Sequence, residues 1–268
     1  MKINEIQCKS ILTKSALPEA DYVINPYTGC GHCCRYCYAS FMRRFTGHGG
    51  ERWGTFVDVK VNAPDILARQ LRSPRKGTVL FGSVTDCYMP IERKYGLTRK
   101  CLEIIAAKQG NLCVSVLTKS ALVIRDIDLL RQVNAEVGLT ITTHDPKVAR
   151  AFEPGASSPQ ERVRAMAALH DAGVKTYAFI GPILPGLTRF DSIIPLIKDS
   201  ADSVMAEVFN FRGCATNCEK LVAERFPKLV AEWARARSAP DAYAAETQAA
   251  LEANCNKAGL PITGFYMH

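Results

Sequence analysis

The sequence predicts an α/β protein: an incomplete (β/α)6 three-quarter TIM-type barrel with a short C-terminal helical extension. Three observations lead there. Six short apolar runs, at residues 22–25, 79–82, 112–117, 137–141, 176–180 and 203–209, are rich in β-branched and aromatic side chains and lack helical periodicity. Such runs suit buried parallel strands. Helical stretches at 63–71, 98–108, 126–133, 159–172 and 190–198 fall between them, as right-handed crossovers require. Six units are also fewer than the eight of a closed barrel. The count leaves a doubly wound sheet open, and either architecture puts active residues at the C-terminal ends of the strands.

Each element has its punctuation. Thr98 reads as an N-cap, and Gly110 and Gly173 as helix stops. Beyond Cys214 the composition turns to Ala, Glu, Lys and Arg, which predicts helices over 227–237 and 241–257. Pro227 suits a first turn and Gly259 a C-terminal cap. The expected division is an N-terminal extension (1–19), a core barrel (20–212) and a C-terminal helical extension (213–268).

Composition bounds the class. The hydrophobic fraction is 47% and the charged fraction 22%, ordinary for a globular chain. No run reaches the roughly eighteen apolar residues of a membrane span. The N-terminus MKINEIQCKS lacks a secretory core and cleavage site, so a cytoplasmic location is expected. The net charge of +8 comes in short clusters such as Arg43–Arg44 and Arg99–Lys100. These can face an anionic partner, but solvated helix faces account for them better, so nucleic acid is admitted without being favoured.

Eleven cysteines are abnormal, and four of them crowd into CGHCCRYC at residues 30 to 37. In a reducing compartment such clustering points to metal or catalysis rather than disulfides. A cubane iron–sulfur cluster needs one external ligand per iron, usually a Cys thiolate. Cys30-x3-Cys34-x2-Cys37 supplies three, which leaves one iron open for a substrate or cosubstrate. Pro26, Gly29 and Gly31 let the chain wrap closely. The alternatives are a Cys30-x2-Cys33-x3-Cys37 register, and a zinc site that would still need a fourth ligand at finger spacing.

This Cx3Cx2C after a first strand resembles the signature of the radical S-adenosylmethionine (SAM) superfamily. The strings NPYTGCGHCCRYCYA, VTDCYMPIERKYGLTRK and LTKS are similar to its spore-photolyase-like branch over about residues 10 to 212. The resemblance implies a 4Fe–4S cluster on Cys30, Cys34 and Cys37, with the aromatic Tyr36 before the last ligand favouring Cys34 over Cys33. It implies SAM chelated at the open iron and cleaved reductively to a 5′-deoxyadenosyl radical that abstracts hydrogen from a substrate. An electron donor such as flavodoxin or ferredoxin is implied as a partner.

The same resemblance implies contacts to SAM. Ser83, Thr85 and Asp86 follow the second strand, with Asp86 opposite the amino group. Lys119, in LTKS, matches a residue that meets the SAM carboxylate. Thr142 and Thr143 follow the fourth strand, where the branch has a serine. Tyr36 and Tyr38 resemble a tyrosine pair near SAM. Strand-end Thr and Ser also cap helices or close turns, which is the bland alternative. The GPILPG segment reads as a close approach to adenine or as a plain tight loop.

Cys87 is a candidate hydrogen donor at the barrel mouth, or else a small apolar residue. The branch places its donor cysteine just before the Ser-Asp pair, where this chain has Val84. That departure speaks against spore-photoproduct repair. Cys214 and Cys218, with Cys255 and Cys8, could carry an auxiliary cluster but read better as dispersed thiols. Cys101 and Cys113 read as core. Two enzyme classes stand beside each other: a hydrogen-abstracting radical SAM enzyme, and an aminocarboxypropyl transferase on the same cluster. A diverged DNA photoproduct lyase is a variant of the first, and a zinc-dependent nucleic-acid-binding protein is an outsider.

Overall fold

All six apolar runs form strands, and five further strands join them in the computed structural model, which describes residues 1–108, 111–213 and 215–267. In chain order they are β1 (Lys2–Ile6), β2 (Leu12–Lys14), β3 (Tyr22–Ile24), β4 (Tyr27–Thr28), β5 (Phe56–Lys60), β6 (Lys76–Phe81), β7 (Asn111–Thr118), β8 (Glu136–Thr140), β9 (Lys175–Ile183), β10 (Ser203–Val208) and β11 (Ile262–Tyr266). The main sheet has the order β11-β10-β9-β8-β7-β6-β3-β2. Every pair from β3 to β11 is parallel, and only the edge pair β2–β3 is antiparallel.

The order never reverses, so the sheet has no switch point of the doubly wound kind. One core explains this. Val79, Phe81, Val114, Val116, Val137, Leu139, Ala178, Ile180, Val204 and Ala206 project from alternate strand positions into a single apolar cluster. The helices Ala63–Gln70, Leu97–Ala107, Ile127–Gln132, Pro159–Asp171 and Phe190–Ile197 cover it from that one side. The opposite sheet face is more open: Leu80, Leu117, Phe179, Met205 and Glu207 are only half-buried.

Several expectations change. β11 extends the parallel order by one strand, and Leu251, Cys255 and Leu260 of the C-terminal stretch lie in the main core. The helix Ala215–Arg225 and the helix Pro146–Phe152 were not read from the sequence. The expected helix over 227–237 is a 3-10 turn, Pro227–Leu229, followed by the helix Val230–Ser238, and the next runs Pro240–Ala258 to a left-handed Gly259. Thr98 is not an N-cap. Its helix starts at Leu97 behind Gly96, and the Thr98 hydroxyl donates to the Cys87 carbonyl at 2.7 Å. Gly110 lies outside the described residues. Cys113 is exposed on the open face rather than in the core, because its neighbours Leu112 and Val114 take the inward positions. No described helix is long and apolar enough to cross a membrane.

A second sheet, β1-β5-β4, stands beside the loop that follows β3. It is joined to that loop through Gly29, where a Cβ would run into the Phe56 carbonyl. His48 locks the connection that leads into β5. It stacks on Phe56 at 3.7 Å and contacts Glu51 and Asp58 at 2.9 and 2.8 Å.

The main sheet makes one sharp prediction. A Cβ at Gly138 on β8 would overlap the Tyr177 ring on β9. Gly138→Ala is expected to cost about 1–3 kcal/mol in chemical denaturation, and much less in a Tyr177→Ala background, where the obstructing ring is gone.

Candidate active site

The CGHCCRYC loop leaves β4 through Gly29, which holds a φ of +83°. It then descends in successive turns: Cys33 N donates to Cys30 O at 3.4 Å, and Cys37 N to Cys34 O at 3.3 Å. Cys33 is the residue that breaks the pattern. It takes a φ of +56°, rare for a non-glycine residue, and its Sγ donates to the Gly54 carbonyl at 2.9 Å. Gly54 has no Cβ to obstruct that thiol. The Cys30, Cys34 and Cys37 thiols instead lie close enough to act on one another electrostatically. Burial pushes the Cys34 thiol up; nearby Lys119 opposes this, and Glu153, Cys37 and Cys30 add to it. Cys30 is raised by burial first, then by Asp86 and Cys37.

The segment at residues 152–155 supports this loop from one side. Arg35 N donates to Phe152 O at 2.8 Å, and Gly155 N to His32 O at 2.9 Å. His32 Nδ1 returns to Gly155 O at 2.8 Å, and a Cβ at Gly155 would overlap the Gly31 carbonyl. Thr85 ties the loop from the other side, donating to Gly29 O at 2.5 Å.

Asp86 sits at the centre of these ties. Its Oδ1 accepts from Thr118 Oγ1 at 2.7 Å and Tyr88 N at 2.9 Å, and its Oδ2 accepts from Lys119 N at 2.8 Å. His32 Nε2 approaches the same Oδ2 at 3.1 Å, though without an aligned hydrogen bond. Burial alone would raise this carboxyl; His32, the Lys119 amide and the Thr118 hydroxyl outweigh it and hold Asp86 well below the usual carboxylate range.

A second buried carboxylate, Glu153, was not anticipated. Arg162 pairs with its Oε2, while Tyr36 and Thr142 both donate to its Oε1, Thr142 at 2.7 Å. Arg162 also donates to Ser157 O at 2.8 Å and Thr140 O at 2.9 Å. Both partners of the pair are almost completely buried. Burial pushes Glu153 up, but Arg162 and Lys119 prevail and lower it. The signal was in the sequence: Arg162 shares the i, i+3, i+4, i+7 stripe of its helix with Ala165, Met166 and Leu169, all buried. A charge on an apolar stripe calls for a buried partner.

The expected SAM contacts therefore fall into two groups. Thr85, Asp86 and Thr142 are buried and bonded to the protein, and the Tyr36 hydroxyl points into the wall toward Glu153. Asp86 and Thr142, expected to contact SAM, are each hydrogen-bonded within the protein here. Lys119, Ser83 and Tyr38 remain accessible. The Lys119 ammonium stands 5.6 Å over the Tyr36 ring. Burial would lower it, yet Cys34 and Glu153 keep it raised, so it stays cationic. Ser83 accepts from Asn25 at 3.0 Å, and exposed Tyr38 donates to the Ser83 carbonyl.

Cys87 is also corrected. It is fully buried in the main core behind the sheet, not at the mouth, with its thiol pushed far up by burial. Val84 packs against the group containing Cys30, Ala39, Trp53 and Phe56. Thr143 is buried and bonds Leu187 O at 3.2 Å. In GPILPG, Gly181 lacks a Cβ because one would overlap Phe179, and its carbonyl accepts from Thr142 at 3.1 Å. Cys218 and Cys255 lie in two different apolar clusters, Cys8 is half-buried, and Cys214 lies outside the described residues. Among the described residues no three Cys, His, Asp or Glu side chains converge on one ion. A cubane does not require that, since each thiolate bonds a different iron.

The buried pair yields a stability prediction. Arg162→Met should cost about 3–5 kcal/mol by leaving Glu153 charged and unpaired. Glu153→Gln combined with Arg162→Met should recover a large part of that loss. Because the folded state lowers the Glu153 pKa, its contribution is present above the ordinary glutamate range. It is lost as pH falls toward the folded value, and urea titrations of wild type and the double variant should converge in acid.

Comparison with known proteins places the chain. Residues 24–194 match the model of the radical SAM superfamily. An uncharacterized protein of Methanocaldococcus jannaschii is 38% identical over 214 residues, covering 80% of each chain. The spore photoproduct lyase of Clostridium acetobutylicum is 28% identical over 173 residues, which cover 62% of this chain and 47% of the lyase. This chain therefore aligns with less than half of that lyase's length. In structure, a spore photoproduct lyase variant with bound AdoMet and dinucleoside spore photoproduct matches 99% of this chain and 81% of its own, with a TM-score of 0.69 at 19% identity. That likeness speaks for the α/β fold with its mostly parallel sheet. Superfamily members use a 4Fe–4S cluster together with SAM, and on the match across residues 24–194 this chain belongs to the radical SAM superfamily.

Proposed function

We propose that Cys30, Cys34 and Cys37 hold the 4Fe–4S cluster, and that the chain cleaves SAM reductively and abstracts hydrogen from a substrate on the open sheet face. The observation that supports this reading best is the division among the four clustered cysteines. Cys33 takes a left-handed backbone and its Sγ donates to Gly54 O at 2.9 Å, which turns it away and leaves Cys30, Cys34 and Cys37 as the candidate set. The donor set fits the group: three thiolates from one loop leave one iron without a protein ligand. When bound, the group held by Cys30, Cys34 and Cys37 would supply the one-electron reduction that SAM cleavage requires.

The chain's own residues do the rest. Lys119 offers a cation for the SAM carboxylate, next to Cys34. Asp86 acts from behind, holding the Lys119 backbone and facing His32 in the cluster loop. Tyr36, pinned by Glu153, forms the wall under Lys119. The sequential, open sheet reads as an incomplete barrel whose inner face is the one left half-exposed. Leu80, Leu117, Phe179 and Met205 give that face an apolar lining that limits water around a reactive intermediate.

The substrate is a different one from the spore thymine photoproduct. The resemblance puts the thiol donor at the position of Val84, which packs against the group containing Cys30, and Cys87 is sealed in the core. A valine offers no S–H, so quenching of a product radical by a protein thiol has no residue to perform it there.

Anaerobic reconstitution tests the reading. Wild type and Cys33→Ala should each take up about four irons, and Cys30→Ala, Cys34→Ala and Cys37→Ala should lose the brown chromophore. Reduced wild type should convert SAM to 5′-deoxyadenosine and methionine, and Lys119→Ala should weaken SAM binding by about tenfold or more. Accumulation of 5′-methylthioadenosine would instead favour aminocarboxypropyl transfer.

A further inference from the structure

The chain has two tryptophans, and both are buried. A buried indole N–H usually finds an acceptor, because a buried donor without one is costly. Trp233 follows that rule: its Nε1 donates to Pro185 O at 2.9 Å. Trp53 does not. Its side chain is 9% exposed, and its Nε1 is buried with no acceptor among the described residues. Trp53 forms one buried group with Cys30, Ala39 and Phe56, and Cys37, Met42 and Val84 pack against that group. The side-chain acceptors there are all sulfurs, and two of them belong to proposed cluster ligands.

The backbone holds this indole against the cysteine loop. Arg52 O accepts from Thr55 N at 3.1 Å and from Thr55 Oγ1 at 2.7 Å, which closes the turn that carries Trp53 and Gly54. Cys33 Sγ donates to Gly54 O at 2.9 Å, and a Cβ on Gly54 would overlap that sulfur. The Trp53 ring meets Phe56 edge-on at 5.8 Å, and the Phe56 carbonyl lies against Gly29 just before the first cysteine. Cys33 takes its left-handed backbone, a φ of +56°, at the point where its thiol grips this turn. Such strain persists where the surroundings over-determine it.

We propose that Trp53 donates its indole N–H to a sulfur of the 4Fe–4S cluster and raises its reduction potential, and that Cys33 positions the indole through Gly54. The proposal rests on Cys30, Cys34 and Cys37 holding that cluster. Hydrogen bonds to the sulfurs are one of the levers by which a protein sets a cluster's potential. An N–H dipole favours the form with the extra negative charge, and a dry apolar group strengthens the effect. Cys33 is then neither a fourth ligand nor a spare thiol. It is a positioning residue, and the indole is the group it positions.

The test is a potentiometric titration of the reconstituted holoenzyme with dithionite and redox mediators, followed by electron paramagnetic resonance. Trp53→Phe keeps an aromatic ring and removes the N–H. It should still take up about four irons. Its reduction equilibrium should move about tenfold toward the oxidised form, about 59 mV for one electron. Cys33→Ala should move it the same way by less. The double variant should match Trp53→Phe alone, because Cys33 acts through the indole. Additive shifts would overturn the role of Cys33. A second measurement needs no variant: wild type carrying isotope-labelled indole nitrogen should show coupling between that nucleus and the reduced cluster. A loaded Trp53→Phe with the wild-type potential would overturn the proposal, and so would wild type without that coupling. If Trp53→Phe fails to load, the labelled wild type decides alone. Failure of wild type to take up iron would instead sink the ligand assignment beneath it.

Discussion

The Asp86 carboxylate is the constraint around which the site is arranged. A buried carboxylate is costly unless its lone pairs are satisfied. Here the donors are Tyr88 just past β6 and Thr118 and Lys119 at the end of β7, while His32 of the cysteine loop approaches the same carboxylate at 3.1 Å without an aligned hydrogen bond. The carboxylate therefore ties the ends of β6 and β7 together, with the cysteine loop packed against it. The Lys119 main chain is held by Asp86, while its side chain reaches over Tyr36 toward Cys34.

Glu153 repeats the arrangement on the opposite flank. It gathers Arg162, Thr142 and Tyr36, residues from a helix, a strand end and the cysteine loop itself. Between the two carboxylates, the loop is gripped by bonds that water cannot compete for. Strand-end polar residues consequently divide by accessibility. Thr85, Asp86 and Thr142 are buried and bonded to the protein, whereas Lys119 and Ser83 are half-buried and Tyr38 is exposed. The main apolar cluster lies on the helix side of the sheet, and the other face is more open.

Local signals made much of this legible. The cysteine spacing spans eight consecutive residues, and strands β3 and β6 to β10 are continuous apolar runs, so each could be read without knowing its partners. β1, β5 and β11 could not. They are five-residue strands, KINEI, FVDVK and ITGFY, whose stability depends on pairing with remote segments. Cys87 shows a second limit: it adjoins Asp86 in sequence, yet its thiol enters the core while Asp86 turns to the loop. Sequence adjacency does not say which face a side chain takes once a strand ends. The Glu153–Arg162 pair lay between these cases, since Arg162 on its apolar stripe announced a partner without naming it.

On the proposed ligand set, three thiols held by this cradle leave one metal position for SAM. Electron paramagnetic resonance of the reduced protein, recorded before and after adding SAM labelled with a magnetic isotope in its carboxylate, tests it most directly. A 4Fe–4S signal whose shape changes on addition, with hyperfine coupling from the labelled carboxylate, is expected in wild type and in Cys33→Ala alike. A signal indifferent to SAM in wild type, or one that responds in Cys34→Ala but not in Cys33→Ala, would contradict it.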